Sequence, residues 1–162
     1  MKLAHEEIKW LSGILKKMDF FSMCTLGEIE DFVSIASRKN YDRGSEIVKQ
    51  GEEGSFFCVI YKGSVSVWAK EEGTGKRKLT VLGAGDYFGE TALVEKQPRN
   101  ATVVADKPCE VFLFYSGDFI DLLAKNPSLE KRFRRIADER STERGQILSQ
   151  PKKSFFKRLF GL

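Results

Sequence analysis

The sequence predicts a mainly β chain with flanking helices (α+β), an antiparallel β-roll or jelly-roll barrel with helices at both ends. Three observations predict it. Short runs of β-branched and aromatic residues at 46–49, 55–61, 64–69, 78–82, 101–105 and 110–115 are separated by glycine-containing turns. Apolar residues fall at helical spacing before Tyr41 and again after Ser116. Between two of the strand runs lies a glycine-flanked stretch, residues 83–105, carrying a short helical segment and a single arginine.

Ile8, Leu11, Ile14, Leu15 and Met18 recur on one helical face and predict an N-terminal amphipathic helix. Thr25-Leu26-Gly27-Glu28 has the form of a capping box, so a second helix is expected through Ile29, Phe32, Val33 and Ala36. Residues 1–40 are therefore read as helical and residues 41–116 as the β-roll. Ser64-Val65-Ser66-Val67-Trp68 alternates and reads as a half-buried strand. Regularly spaced short strands of this kind suggest a closed or two-sheet antiparallel barrel. Helices return over 117–145, where Phe119, Ile120, Leu122 and Leu123 give the period and Asn126-Pro127 ends one helix and starts the next. Leu129, Phe133, Ile136 and Ala137 mark the inward stripe of that last helix. Residues 146–162 form a basic, aromatic tail.

Length and composition narrow the function classes. A chain of 162 residues is expected to form one domain with a real core, and 13 phenylalanines supply its bulk. No apolar run reaches the roughly 20 residues of a membrane span, and the N-terminus lacks a secretory leader. Cys24, Cys58 and Cys109 are too scattered for a disulfide framework or a metal knuckle, and Cys58 and Cys109 read as small buried residues. A reducing cytoplasm is the expected location, with a peripheral membrane position left open by the tail. The net charge of +4 is uneven: residues 1–125 hold 17 Lys and Arg against 19 Asp and Glu, and residues 126–162 hold 10 against 4.

The stretch 83–105 carries the chemistry. Gly89 allows positive φ and close backbone approach. Backbone N–H groups at the start of the Glu90–Val94 helix favour an anion. Arg99 offers a planar fork matched to two phosphate oxygens. Glu90, an acceptor, suits a sugar hydroxyl. Together they describe a site for a phosphate bonded to a sugar.

Phe88-Gly89-Glu90, Ala92-Leu93, Pro98-Arg99 and Ala101-Thr102-Val103 resemble the phosphate-binding cassette of cyclic nucleotide-binding domains. Leu15 to Ser22 and Gln50-Gly51-Glu52-Glu53-Gly54 with Phe56–Tyr61 and Gly63 extend the likeness over roughly residues 10–145. The resemblance implies a cassette at 83–105, lid helices at 117–145, and a ligand, cAMP or cGMP, without cofactor or metal. It implies ligand contacts from Phe88, Gly89, Glu90, Thr91, Ala92, Arg99, Asn100 and Ala101, with the small Ala92 and Ala101 offering backbone groups to the phosphate. Asn100 departs from the alanine common in cAMP sites and the threonine or serine common in cGMP sites, and the leaning is to cAMP. Arg140 is expected to cap the base by stacking, with Ile136 and Arg144 as alternatives.

The leading functional expectation is a non-catalytic cyclic nucleotide sensor whose C-terminal helices close on the ligand and change the surface shown to a protein partner. The alternative is a ligand-independent interaction or membrane-recruitment module with a vestigial site. Nucleic-acid binding is not expected, because the residues beyond Thr142 are too few for a helix-turn-helix. Catalysis is not expected either, since His5 is the sole histidine and no nucleophile has a base beside it. In the tail, Phe155, Phe156, Leu159, Phe160 and Leu162 oppose Lys157 and Arg158, which suits weak contact of 152–162 with an anionic membrane, a partner's groove, or a free tail. A monomer or a homodimer is compatible with the sequence.

Overall fold

The computed structural model describes residues 2–147, with side chains through Glu139. The tail 148–162 and the side chains of Arg140 and Arg144 lie outside the described residues. Helix α1 (His5–Lys16) and a 3-10 turn at Asp19–Phe21 lead into α2 (Leu26–Ser34). Eight strands follow: β1 (Ser37–Tyr41), β2 (Glu46–Val48), β3 (Phe56–Lys62), β4 (Ser64–Glu71), β5 (Gly75–Gly83), β6 (Tyr87–Phe88), β7 (Thr102–Ala105) and β8 (Cys109–Tyr115). A 3-10 turn at Glu90–Leu93 separates β6 from β7, and α3 (Ser116–Ala124) and α4 (Pro127–Ile147) close the order.

All pairings are antiparallel and form two four-stranded sheets, β1-β8-β3-β6 and β2-β7-β4-β5. The apolar runs of β3 and β8 explain the layering. Successive strand side chains face opposite sides, and here both sides are buried. Phe57, Val59, Phe112 and Phe114 face the helices. Cys58, Ile60, Val111 and Leu113, with Phe88 of β6, face the second sheet, where they meet Val65, Val67 and Val103. The helical core is aromatic: Phe133 of α4 packs against Phe20, Phe21, Phe32 and Phe119 at centroid distances of 5.1, 6.0, 5.5 and 5.2 Å. At roughly 1.5–3 kcal/mol per fully buried large apolar side chain, this cluster fixes the helices to sheet one.

The capping box at α2 is present: Thr25 Oγ1 accepts from Glu28 N at 3.2 Å and Thr25 N donates to Glu28 Oε1 at 2.9 Å. Asn126 Oδ1 likewise accepts from Leu129 N at 3.2 Å to start α4. Three features differ from the sequence reading. Strand β1 lies inside the segment read as helical; its Ser-Arg-Lys-Asn-Tyr sequence is that of a charged edge strand and carries no apolar alternation. Strand β6 is two residues long, too short to show a period. Strand β4 keeps its half-buried alternation only in part: Trp68 is half-buried and Lys70 exposed, but Ser66 is buried, its hydroxyl donating to Asp106 Oδ2 at 2.5 Å.

Candidate functional site

The site forms where the loop between β2 and β3 meets the loop before β7. Arg99 N donates to Glu52 O at 2.7 Å, Gly51 N donates to Arg99 O at 2.8 Å, and Gly54 N donates to Gln97 O at 3.0 Å. These bonds lace the two loops together and fix where Arg99 leaves the backbone. Its side chain turns inward. One terminal nitrogen donates to Phe56 O at 2.5 Å, and the guanidinium carbon lies 5.0 Å from the centroid of the Phe56 ring. Arg99 is 8 % exposed.

Glycines make the room. Gly89 has φ 82° and ψ 21°, the left-handed region, and caps the 3-10 turn. A Cβ there would lie 2.3 Å from Arg99 Nη1. The sequence reading assigned the space at Gly89 to a ligand; in this structure the guanidinium takes it. Gly54 does the same from the other side, where a Cβ would sit 3.2 Å from Arg99 Cζ and 3.3 Å from Ala92 Cβ. Gly54 was visible in the sequence as a hairpin residue, but its part in seating Arg99 needed the fold.

Burial pushes the Arg99 guanidinium below its ordinary value, against the pull of Cys58 and Glu90. The Cys58 thiol is wholly buried, and that burial pushes it far upward, so it stays neutral. The negative charge facing Arg99 is therefore the carboxylate of Glu90, itself buried at 2 % exposure. The arrangement is a preformed cation and a carboxylate on either side of a glycine, shielded from bulk water. A phosphodiester can take the cation and a hydroxyl can donate to the carboxylate.

The remaining predicted residues divide. Thr91 is half-buried and Ala92 buried on the 3-10 turn, Ala101 is buried in the core between the sheets, and Asn100 is exposed at the loop that precedes β7. Phe88 is wholly buried between the sheets and serves packing there. Ile136 packs against the helical core from the partly buried stripe of α4. Arg140 belongs to α4, and its capping role falls on a side chain outside the described residues. Among the described residues no group of three or more His, Cys, Asp and Glu is placed to hold a metal. No helix there is long and apolar enough to cross a membrane.

The sequence profile of the cyclic nucleotide-binding domain matches residues 38–126, more than half of the chain. The chain belongs to the cyclic nucleotide-binding domain family. Among its relatives, the cGMP-dependent protein kinase egl-4 of Caenorhabditis elegans is 34% identical over 82% of this chain and 17% of its own length. The cAMP-dependent protein kinase regulatory subunit of Debaryomyces hansenii is 42% identical over 56% of this chain and 19% of its own length. The chain thus spans about a fifth of these relatives. Among solved structures, cAMP-bound PfPKA-R superposes with a TM-score of 0.69 at 28% identity, covering 80% of this chain and 47% of that one. The domain is of the kind found in kinase regulatory regions, and the mainly β fold with flanking helices agrees with that neighbour.

Between the cassette turn and the C-terminal helices runs an apolar groove of about 450 Å³, lined among others by Leu93, Val94, Ile120, Leu123 and Phe133. Leu93 also belongs to the helical core. Leu93, three places after Glu90, is therefore a point of packing between the cassette turn and the helical core, with Val94 packed against the same core.

Proposed function

We propose that the protein is a non-catalytic cyclic nucleotide sensor, preferring cAMP to cGMP. The observation that supports this most is the buried Arg99 guanidinium held beside Gly89 and opposite Glu90. The cyclic phosphate takes the Arg99 fork, the ribose hydroxyl donates to Glu90, and the backbone at Ala92 and Ala101 lines the phosphate. Thr91 and Asn100 flank the ligand, and Arg140 covers the base. Differential affinity for two positions of the helices then shifts their equilibrium. Leu93 transmits the change to α3 and α4, and the altered helix surface is read by a protein partner. The protein works in the cytoplasm as a monomer or homodimer, and residues 152–162 add weak contact with an anionic membrane.

Thermal unfolding with cAMP, cGMP and 5′-AMP tests the reading. Ligand at about a hundred times its dissociation constant adds roughly 2.7 kcal/mol of stability. cAMP is expected to raise Tm most and 5′-AMP least, because the second charge of an open phosphate sits near Glu90. Equal stabilisation by AMP and cAMP would replace the sensor with a general nucleotide pocket.

A further inference from the structure

One residue holds the Arg99 side chain from two directions. Arg99 Nη2 donates to Phe56 O at 2.5 Å, and the guanidinium carbon lies over the Phe56 ring, 5.0 Å from its centroid. The two contacts constrain different things. A single hydrogen bond fixes one nitrogen of a planar group and leaves the plane free to swing about that bond. An aromatic face within about 6 Å attracts the cation and removes that freedom. An arginine fork matches two phosphate oxygens only when its plane is set, so orientation as well as charge decides how well it recognises a phosphodiester.

Gly89 and Gly54 border the same guanidinium, but as glycines they give it room and no side-chain surface. Phe56 gives the surface and is itself seated. It opens β3 and is paired with Tyr115 in the β3–β8 register. The two rings meet edge to face, with centroids 6.1 Å apart and planes at 71°. One residue earlier, Ser55 O accepts from Ser116 N at 2.9 Å, so the strand end that carries Phe56 is bonded to the first residue of α3. The next four residues of β3, Phe57 to Ile60, are wholly buried, whereas Phe56 is half-buried and only flanks the core between the sheets. Its packing into that core is partial, and the guanidinium covers part of what remains.

We propose that the Phe56 ring is a positioning element of the phosphate site, setting the plane of the Arg99 fork while Tyr115 sets the ring, an inference that rests on the cyclic nucleotide reading and deepens it. Phe56 touches no ligand in this arrangement and acts through Arg99. Removing the ring leaves the charge in place and lets the fork turn, so the site keeps its attraction for an anion and loses its match to the cyclic phosphodiester.

The test is a double-mutant cycle on the full chain, with cAMP as the probe. Phe56→Leu keeps the backbone carbonyl and the apolar bulk and removes only the ring. It is expected to weaken cAMP binding about tenfold, and Phe56→Tyr, which keeps a ring, to recover most of that loss. The same Phe56→Leu change in an Arg99→Lys background is expected to cost less than about twofold, because no fork is left to orient. Calorimetry measures the tight complexes, the rise in Tm at high cAMP follows the weak ones, and unfolding without ligand shows that each variant is folded. A tenfold loss that is the same in both backgrounds overturns the inference and makes Phe56 a packing residue. Unchanged affinity in Phe56→Leu, with cAMP bound by the wild type, overturns the inference and leaves the sensor reading standing. No cAMP binding by the folded wild type overturns both.

Discussion

Two cationic regions of this molecule use opposite physics. Arg99 is buried, laced to its neighbours by backbone bonds, and given room by two glycines. Lys70, Lys76 and Lys78 of the β4–β5 hairpin are exposed and held near one another by strand register and the Trp68 indole. Water and salt screen the second set within about 10 Å at 0.1 M ionic strength, and screen the first much less. A buried planar fork discriminates by geometry, so small displacements matter. An exposed lysine cluster discriminates by sign of charge, so the number of charges matters and their placement matters less.

The sharpest way to break the comparison is Gly89→Ala. The added Cβ would lie 2.3 Å from Arg99 Nη1 in a left-handed backbone. The backbone alone costs about 1–2 kcal/mol. Displacing the guanidinium is expected to lower cyclic nucleotide affinity by about two orders of magnitude. Calorimetry and thermal unfolding measure the two effects separately, and a variant that binds as the wild type does would remove Gly89 from the account. Arg99→Lys comes next. It keeps the charge and loses the fork, so affinity falls by more than about tenfold while some binding survives. Full recovery by lysine would mean that charge alone suffices, erasing the contrast with the hairpin.

Smaller effects are expected at the rim. Asn100 is exposed beside the cassette, and Asn100→Thr is expected to move preference toward cGMP and Asn100→Ala toward cAMP. Each shift is about 1–2 kcal/mol, the scale of one hydrogen bond at a wet site. Identical cGMP/cAMP ratios in all three proteins would place specificity on α4. The smallest effect concerns Cys24, whose thiol is pushed up to about 11, first by burial and then by Glu28. The folded state then holds its proton where the unfolded state releases it, so stability falls as pH rises from the ordinary thiol range toward 11. Cys24→Ser is expected to flatten that alkaline slope in thermal unfolding, and an unchanged slope would assign it to other groups.

The sequence showed what has a period or a motif. The capping box at Thr25, the strands from β2 onward except the two-residue β6, and the Gly89–Arg99 cassette were legible, because each rests on local residue chemistry. Strand β1 was hidden because its pairing with β8 comes from across the chain, and its own residues are polar. The burial of Ser66 was hidden for a related reason, since Asp106, which accepts from its hydroxyl, comes from 40 residues away. Within the site, Phe56 O and Gly54 escaped notice because a carbonyl and a missing Cβ leave no side-chain signature. Phe88 matched the motif yet proved to be core, a reminder that a motif mixes contact residues with the packing that holds them.

The central claim is that Arg99 recognises the cyclic phosphate. A calorimetric titration of cAMP into the wild type and Arg99→Ala tests it most directly, with unfolding curves to show that both are folded. The account predicts a wild-type complex and a loss of about two orders of magnitude or more in the variant, because a buried phosphate then lacks its partner. Equal affinities in the two proteins, or no cAMP binding by the folded wild type, would contradict it.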